Sequence, residues 1–109
     1  NVMFGGKLWY HPKLPVNRTR GVDHQVWLVK EQRNIWVNNY HSDCIYEEGL
    51  ASCFEPLAID RENHVVEAYG SDEMKILALQ WHPERRFETA NAYEETRKII
   101  LDFIQKYVK

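Results

Sequence analysis

Only two cysteines, Cys44 and Cys53, occur in 109 residues. A disulfide-stabilised extracellular scaffold of this size would usually carry more, so free thiols and a reducing, cytoplasmic setting are expected. No apolar run approaches the ~20 residues that span a bilayer. No charged start, apolar stretch and small-residue cleavage site follow one another, so no signal peptide is read and no membrane association is expected. Positive charge is not in excess either. Lys and Arg number 14 against 16 Asp and Glu, for a net charge of −2. The basic stripe of a nucleic-acid-binding surface is therefore missing. There is no internal repeat, no low-complexity tract and no metal-ligand spacing such as His-Glu-x-x-His, so neither metal nor cofactor is expected.

What is present suits one small soluble domain with a single core: 44% of residues are hydrophobic and 28% charged. Asn1 to Phe4 running into Gly5-Gly6 reads as the last turn of a helix and its glycine stop. His11 to Gly21 is a polar loop punctuated by Pro12, Pro15 and Gly21. Val22 to Val29 reads as a strand, with Val22, His24, Val26 and Leu28 on one side. A turn over Glu31 to Asn34 leads to a short strand at Ile35 to Val37, and Asn38 to Asp43 reads as the loop leaving it. Pro56–Asp60, His64–Tyr69 and Lys75–Trp81 read as three further strands. Within the last, Ile76 to Leu79 is a continuous apolar run of the kind buried on both faces. The chain ends on a helix whose apolar stripe runs through Ala92, Thr96, Ile99, Ile100, Phe103, Ile104 and Tyr107. Asn91 with Glu94 resembles a capping box at its start. Strands followed by one amphipathic helix fit an α/β or α+β layering, with too few helices to cover two faces of a doubly wound sheet.

The segment Gln80-Trp81-His82-Pro83-Glu84 carries the most chemistry. It is expected at the C-terminal end of a buried strand, the edge where open α/β sheets bind ligands. His82 and Glu84 are two residues apart, so in extended backbone their side chains leave on the same side. A carboxylate there can accept a hydrogen bond from one imidazole nitrogen, fix the tautomer and leave the other nitrogen as a base. Pro83 lacks an N–H and has a fixed φ, which stops the strand and stiffens the pair. His24 reads as a hydrogen-bonded structural histidine, and His11 and His64 as surface residues. Cys44 and Cys53 read as packing residues, and Trp9, Trp27, Trp36 and Tyr69 as core or sheet aromatics.

Ala78-Leu79-Gln80-Trp81-His82-Pro83-Glu84 resembles the G-x-Q-[FW]-H-P-E signature of class I glutamine amidotransferases and the related γ-glutamyl hydrolases of the peptidase C26 type. Three other stretches fit in the same order. Asn1 to Leu8 resembles the segment after the family's nucleophile helix. Val37-Asn38-Asn39-Tyr40-His41-Ser42 resembles its V-N-S-x-H or R-Y-H-S substrate loop, and Val65-Val66-Glu67-Ala68 resembles the strand pair before the triad histidine. The resemblance implies a flavodoxin-like α/β fold, of which residues 1–109 would be the C-terminal half: a partial sheet plus a C-terminal helix, without the N-terminal half that carries the nucleophile elbow. It implies hydrolysis of a γ-glutamyl amide by a Cys-His-Glu triad, with His82 as general base and Glu84 as its orienting partner. The nucleophile would be a cysteine in a Gly-x-Cys-x-Gly elbow, a context that neither Cys44 nor Cys53 has. His41, Ser42 and Asp43 would bind the glutamyl moiety of a small substrate.

After Leu8 the family's Y-Q-D continuation becomes Trp9-Tyr10-His11, and its H-H-Q or H-G-Q becomes His41-Ser42-Asp43. These departures fall where the released amine is read. Trp81, the 1–8 segment and Val37-Asn38 favour the γ-glutamyl-γ-aminobutyrate hydrolase branch. Tyr40-His41-Ser42 is also similar to glutaminase subunits that deliver ammonia to a synthetase partner. The third reading is a non-catalytic binding domain on the same scaffold.

Overall fold

The computed structural model describes residues 1–10, 12–13 and 19–107. The strands are β1 (His24–Leu28), β2 (Arg33–Val37), β3 (Glu55–Asp60), β4 (Val65–Ser71) and β5 (Ile76–Leu79), and the helix is α1 (Ala92–Tyr107). They form one five-stranded sheet in the order β2-β1-β3-β4-β5. Every pairing in it is antiparallel. The parallel pairing of a doubly wound sheet does not occur among the described residues.

Alternation decides which face of β1 and β2 is covered. Val26 and Leu28 of β1 meet Ile35 and Val37 of β2 on the inner face, all at most 3% exposed. Ala58, Ala68 and Trp81 complete the cluster, with Leu57, Leu79, Phe87 and Ile99 packed against it. Burying each large apolar side chain is worth about 1.5–3 kcal/mol. Helix α1 lies on β2 and is held there through two adjacent residues, Glu95 and Thr96. The Trp81 indole N–H donates to the Thr96 hydroxyl at 3.1 Å, and Arg33 pairs with Glu95 at 2.7 Å. Ala92 and Thr96 are its buried residues. Ile104, placed on the stripe by its spacing, is 43% exposed.

Three expectations need correction. The apolar run Ile76 to Leu79 is not buried on both faces. Among the described residues it is an edge strand, paired only with β4 and half-buried throughout. The most buried strand is β4, whose first four residues are all buried. The His82 segment therefore leaves an antiparallel edge strand, not the most buried one. Trp36 is a sheet aromatic, as expected, and points outward at 42% exposure because it alternates with the inward Ile35 and Val37. Finally, Asn91 has φ 66°, whereas an N-cap is normally extended, so the helix does not start on the expected capping box.

The opening segment behaves as its glycines suggest. Val2–Phe4 is a single 3-10 turn, stopped by Gly5 at φ 93°. A side chain there would be strained, which is why glycine suits the position. Among the described residues no helix is long and apolar enough to cross a membrane.

Candidate active site

His82 sits just past β5, where the chain turns out of the sheet toward Phe87 and α1. Its Nδ1–H donates to Glu84 Oε2 at 3.0 Å. The hydrogen bond from His82 is the main reason that the Glu84 carboxyl is held below the usual carboxylate range. With Nδ1 committed, Nε2 is the nitrogen available to take and return a proton. His82 is partly open to solvent and Glu84 more so, with side chains 36% and 65% exposed. The pair thus faces outward, where a substrate could reach it.

The backbone of His82 is fixed from across the molecule. Asn38, at the exit of β2, is fully buried. Its Oδ1 accepts the His82 N–H at 2.9 Å, and its Nδ2 donates to the His82 carbonyl at 2.8 Å. The same Nδ2 lies 3.4 and 3.3 Å from the carbonyls of Arg85 and Arg86. One amide thus replaces the strand pairing that ends with β5.

Tyr40 supplies a second contact. Its ring meets the His82 ring edge to face, with centroids 6.3 Å apart. The Arg85 guanidinium lies 4.8 Å from the Tyr40 ring and that of Arg20 lies 5.6 Å away. Arg20 also donates to the Tyr40 carbonyl, and Gly21 N–H to the Asn39 carbonyl at 2.7 Å. The end of the variable segment before β1 is therefore stitched to the 38–43 loop. Residues 11 and 14–18 of that segment lie outside the described residues.

Both nitrogens of the His41 ring are committed within the protein. Its Nδ1–H donates to the Asp43 carbonyl at 2.8 Å and its Nε2–H to Glu67 Oε2 at 2.9 Å. The side chain is 9% exposed, and that of Glu67 is fully buried. Burial opposes the charged ring. Hydrogen bonds with Cys44 and Glu67, the Glu67 charge and the Asp43 carbonyl outweigh it, and the pKa is pushed up to about 10. At neutral pH both ring nitrogens carry protons, so His41 is an imidazolium and not a second base. Ser42 is exposed and its carbonyl lies 3.9 Å from Cys44 Sγ, while Asp43 serves the loop through its own carbonyl. The contacts that reach His82 come from Asn38 and Tyr40. His24 is the expected structural histidine, with Nε2 3.4 Å from Glu67 Oε1. Cys44 is buried and Cys53 exposed, and both are free thiols. Cys44 packs beside the loop, and its backbone bridges Trp9.

Sequence reasoning gave no role to Asn38 or Glu67, which the structure joins to His82 and His41. A signal existed for each. Asn38-Asn39 directly follows a buried apolar strand, and Glu67 is the lone charge within Val65-Val66-Glu67-Ala68. Among the described residues no group of three or more His, Cys, Asp or Glu side chains is arranged to hold a metal ion.

No curated protein matches the chain. A protein-family model, Peptidase C26, matches residues 1–84. That span takes in all five strands, the 38–43 loop and the His82–Glu84 pair, and stops short of α1. The antiparallel sheet with its C-terminal helix is compatible with part of a class I glutamine-amidotransferase-like domain, and membership implies a hydrolytic activity of the cysteine type. With more than three-quarters of its length inside the match, the chain belongs to the peptidase C26 family.

Proposed function

We propose that this chain supplies the base half of an enzyme that hydrolyses γ-glutamyl amides, releasing glutamate and an amine. The observation that carries the reading is the His82–Glu84 pair. Nδ1 is committed to the carboxylate at 3.0 Å, the backbone is clamped by Asn38, and Nε2 remains for proton transfer.

In this reading the nucleophile is a cysteine thiol in a Gly-x-Cys-x-Gly elbow, which this sequence does not contain. It would belong to an N-terminal half that completes a flavodoxin-like domain. Nε2 takes the thiol proton as sulfur attacks the γ-carbonyl carbon. The tetrahedral adduct collapses to a γ-glutamyl thioester, and the same nitrogen returns the proton to the departing amine. Water, deprotonated at Nε2, then attacks the thioester; glutamate leaves and the thiol is restored. Glu84 keeps the ring oriented through both halves and stabilises the imidazolium. Backbone groups of Ser42 and Asp43, on the loop braced by His41, would hold the α-amino and α-carboxylate ends of the glutamyl group and so position its γ-carbonyl. This chain alone would be inactive.

A second reading, a glutaminase subunit that passes ammonia to a synthetase partner, is favoured by the Tyr40-His41-Ser42 sequence. One experiment separates the two. The full-length protein, purified without a partner, is assayed on glutamine and on γ-glutamyl conjugates of larger amines. Cleavage of a conjugate with poor use of glutamine supports the hydrolase. Activity on glutamine alone, appearing only when a synthetase is added, supports the subunit. No activity in either arm leaves the non-catalytic scaffold.

A further inference from the structure

Glu67 is an unusual residue for the middle of the most buried strand. Its side chain is fully buried, yet its carboxylate is costly to desolvate, and an apolar residue of similar size would often serve stability equally well. It lies at a β-bulge. Between the pairs Ala58↔Ala68 and Ile59↔Val66, β3 advances one residue while β4 advances two, so Glu67 is the extra residue. Bulges re-aim a side chain relative to the regular pleat. Here the carboxylate reaches His41 at 2.9 Å and lies 3.4 Å from His24 of β1. At the same time the Glu67 carbonyl accepts the Gln80 N–H at 2.8 Å, two residues before His82.

The 38–43 loop has three separate attachments around this point. Asn38 holds the His82 backbone, the Tyr40 ring edges the His82 ring, and His41 ends on Glu67. Glu67 thereby touches both walls of the site: the loop through its carboxylate, and the strand that delivers His82 through its carbonyl. The groups facing His41 are Glu67 from β4, with His24 of β1 behind it, and Cys44 and the Asp43 carbonyl from its own loop.

We propose that Glu67 is a positioning residue for the hydrolysis, holding His41 and His24 so that the 38–43 loop keeps Tyr40 against His82 and receives the glutamyl group in a fixed register. The proposal rests on the hydrolase reading for its kinetic consequence, but its structural link does not depend on turnover. A Glu67→Gln change preserves shape and the bond to Gln80 while removing the charge that holds the loop.

The experiment uses the full-length protein as wild type, Glu67→Gln, His41→Gln and the double variant. Hydrolysis of a γ-glutamyl conjugate and the ring NMR resonances of His82 are followed together. Glu67→Gln is expected to lower kcat/KM on the order of 100-fold, with KM raised and kcat lowered, while unfolding remains cooperative. Its His82 ring resonances should move, although the substitution is on a neighbouring strand. The double variant should be no worse than the poorer single one, because the two residues act as a unit. Wild-type kinetics with unmoved His82 resonances, or losses that multiply in the double variant, would overturn the proposal. If the wild type cleaves no γ-glutamyl amide, the hydrolase reading fails and the His82 resonances decide the positioning link alone. If Glu67→Gln does not fold, the double variant leaves neither charge unpaired and is read in the same way. If that also fails to fold, Glu67 is a folding residue and the proposal falls.

Discussion

The Asn38 side chain grips the His82 backbone on both sides, accepting its N–H at 2.9 Å and donating to its carbonyl at 2.8 Å. Strand pairing of β5 ends at Leu79, so His82 lies beyond the sheet's own hydrogen bonds. The two bonds from a fully buried amide take over the task of fixing His82. Asn38→Ala would leave the His82 N–H unmatched and its carbonyl with the Arg85 N–H alone, at about 1–3 kcal/mol for a buried group that finds no water. Asn38→Asp would keep the acceptor and lose the donor, placing a carboxylate oxygen against the His82 carbonyl. Both variants should lower stability in denaturant melts, and both should lower kcat more than folding alone explains. A variant with wild-type kcat and stability would remove the clamp from the argument.

His82 and Glu84 should not be equivalent on substitution. In the proposed mechanism His82→Ala removes the group that carries the proton in both directions, a role worth on the order of 100- to 10,000-fold. Glu84→Gln keeps a hydrogen-bond acceptor at the same place and loses only the charge, so it should cost less. Because the bond from His82 holds the Glu84 carboxyl below its ordinary range, the carboxylate should persist into more acidic solution than a free glutamate. Steady-state kinetics of both variants on a γ-glutamyl conjugate test the order. A larger loss in Glu84→Gln than in His82→Ala would reverse the roles assigned here.

Much of this was legible in the sequence because short-range chemistry decided it. The strands β1 to β4 and the helix fall near their expected places, since alternation and the three- and four-residue stripe are local signals. The His82–Glu84 bond follows from a two-residue spacing and a proline between. What failed was long-range. Strand order and direction depend on which neighbours meet, so an apolar run at Ile76 to Leu79 could not reveal that it lies at an edge. The turns before β2, β4 and β5 gave weak signals as well. Each ends on a non-glycine residue at positive φ, namely Gln32, His64 and Lys75, where glycine or asparagine would have marked the turn more clearly. Asn38 and Glu67 act on residues 44 and 26 positions away in the chain, at His82 and His41. No local pattern contains such partners.

The bond from the Trp81 indole to Thr96 ties the His82 segment to α1, and it is the sort of buried pair whose halves are unequal to its whole. Thr96→Val would leave the indole N–H without an acceptor in a site where both residues are at most 2% exposed. Such an orphan costs about 1–3 kcal/mol. Trp81→Phe removes the donor, but also empties volume next to Val26, Leu28, Ile35 and Val37, so it should be worse. In the double variant no N–H is stranded. Denaturant melts of the four proteins should therefore show a double-variant loss smaller than the sum of the single losses. Additive losses would mean that the bond contributes little.

Solution pH should act on stability through His41, and the sign is fixed by the direction of its shift. The ring titrates near 6.5 when unfolded and near 10 in the fold. Folding therefore takes up a proton between these values. The contribution is complete below about pH 6.5 and declines at up to ~1.4 kcal/mol per pH unit as pH rises toward 10, above which it is gone. Tyrosines, lysines and thiols also titrate on the alkaline side, so the difference between two proteins is the cleaner measure. His41→Gln has no such proton to lose, and its melts leave those other groups in place. At pH 6 the wild type should be the more stable of the two, and the gap should close steadily between pH 7 and 10. Two stability curves that stay parallel over this range would show that the His41–Glu67 ion pair is not what holds the loop.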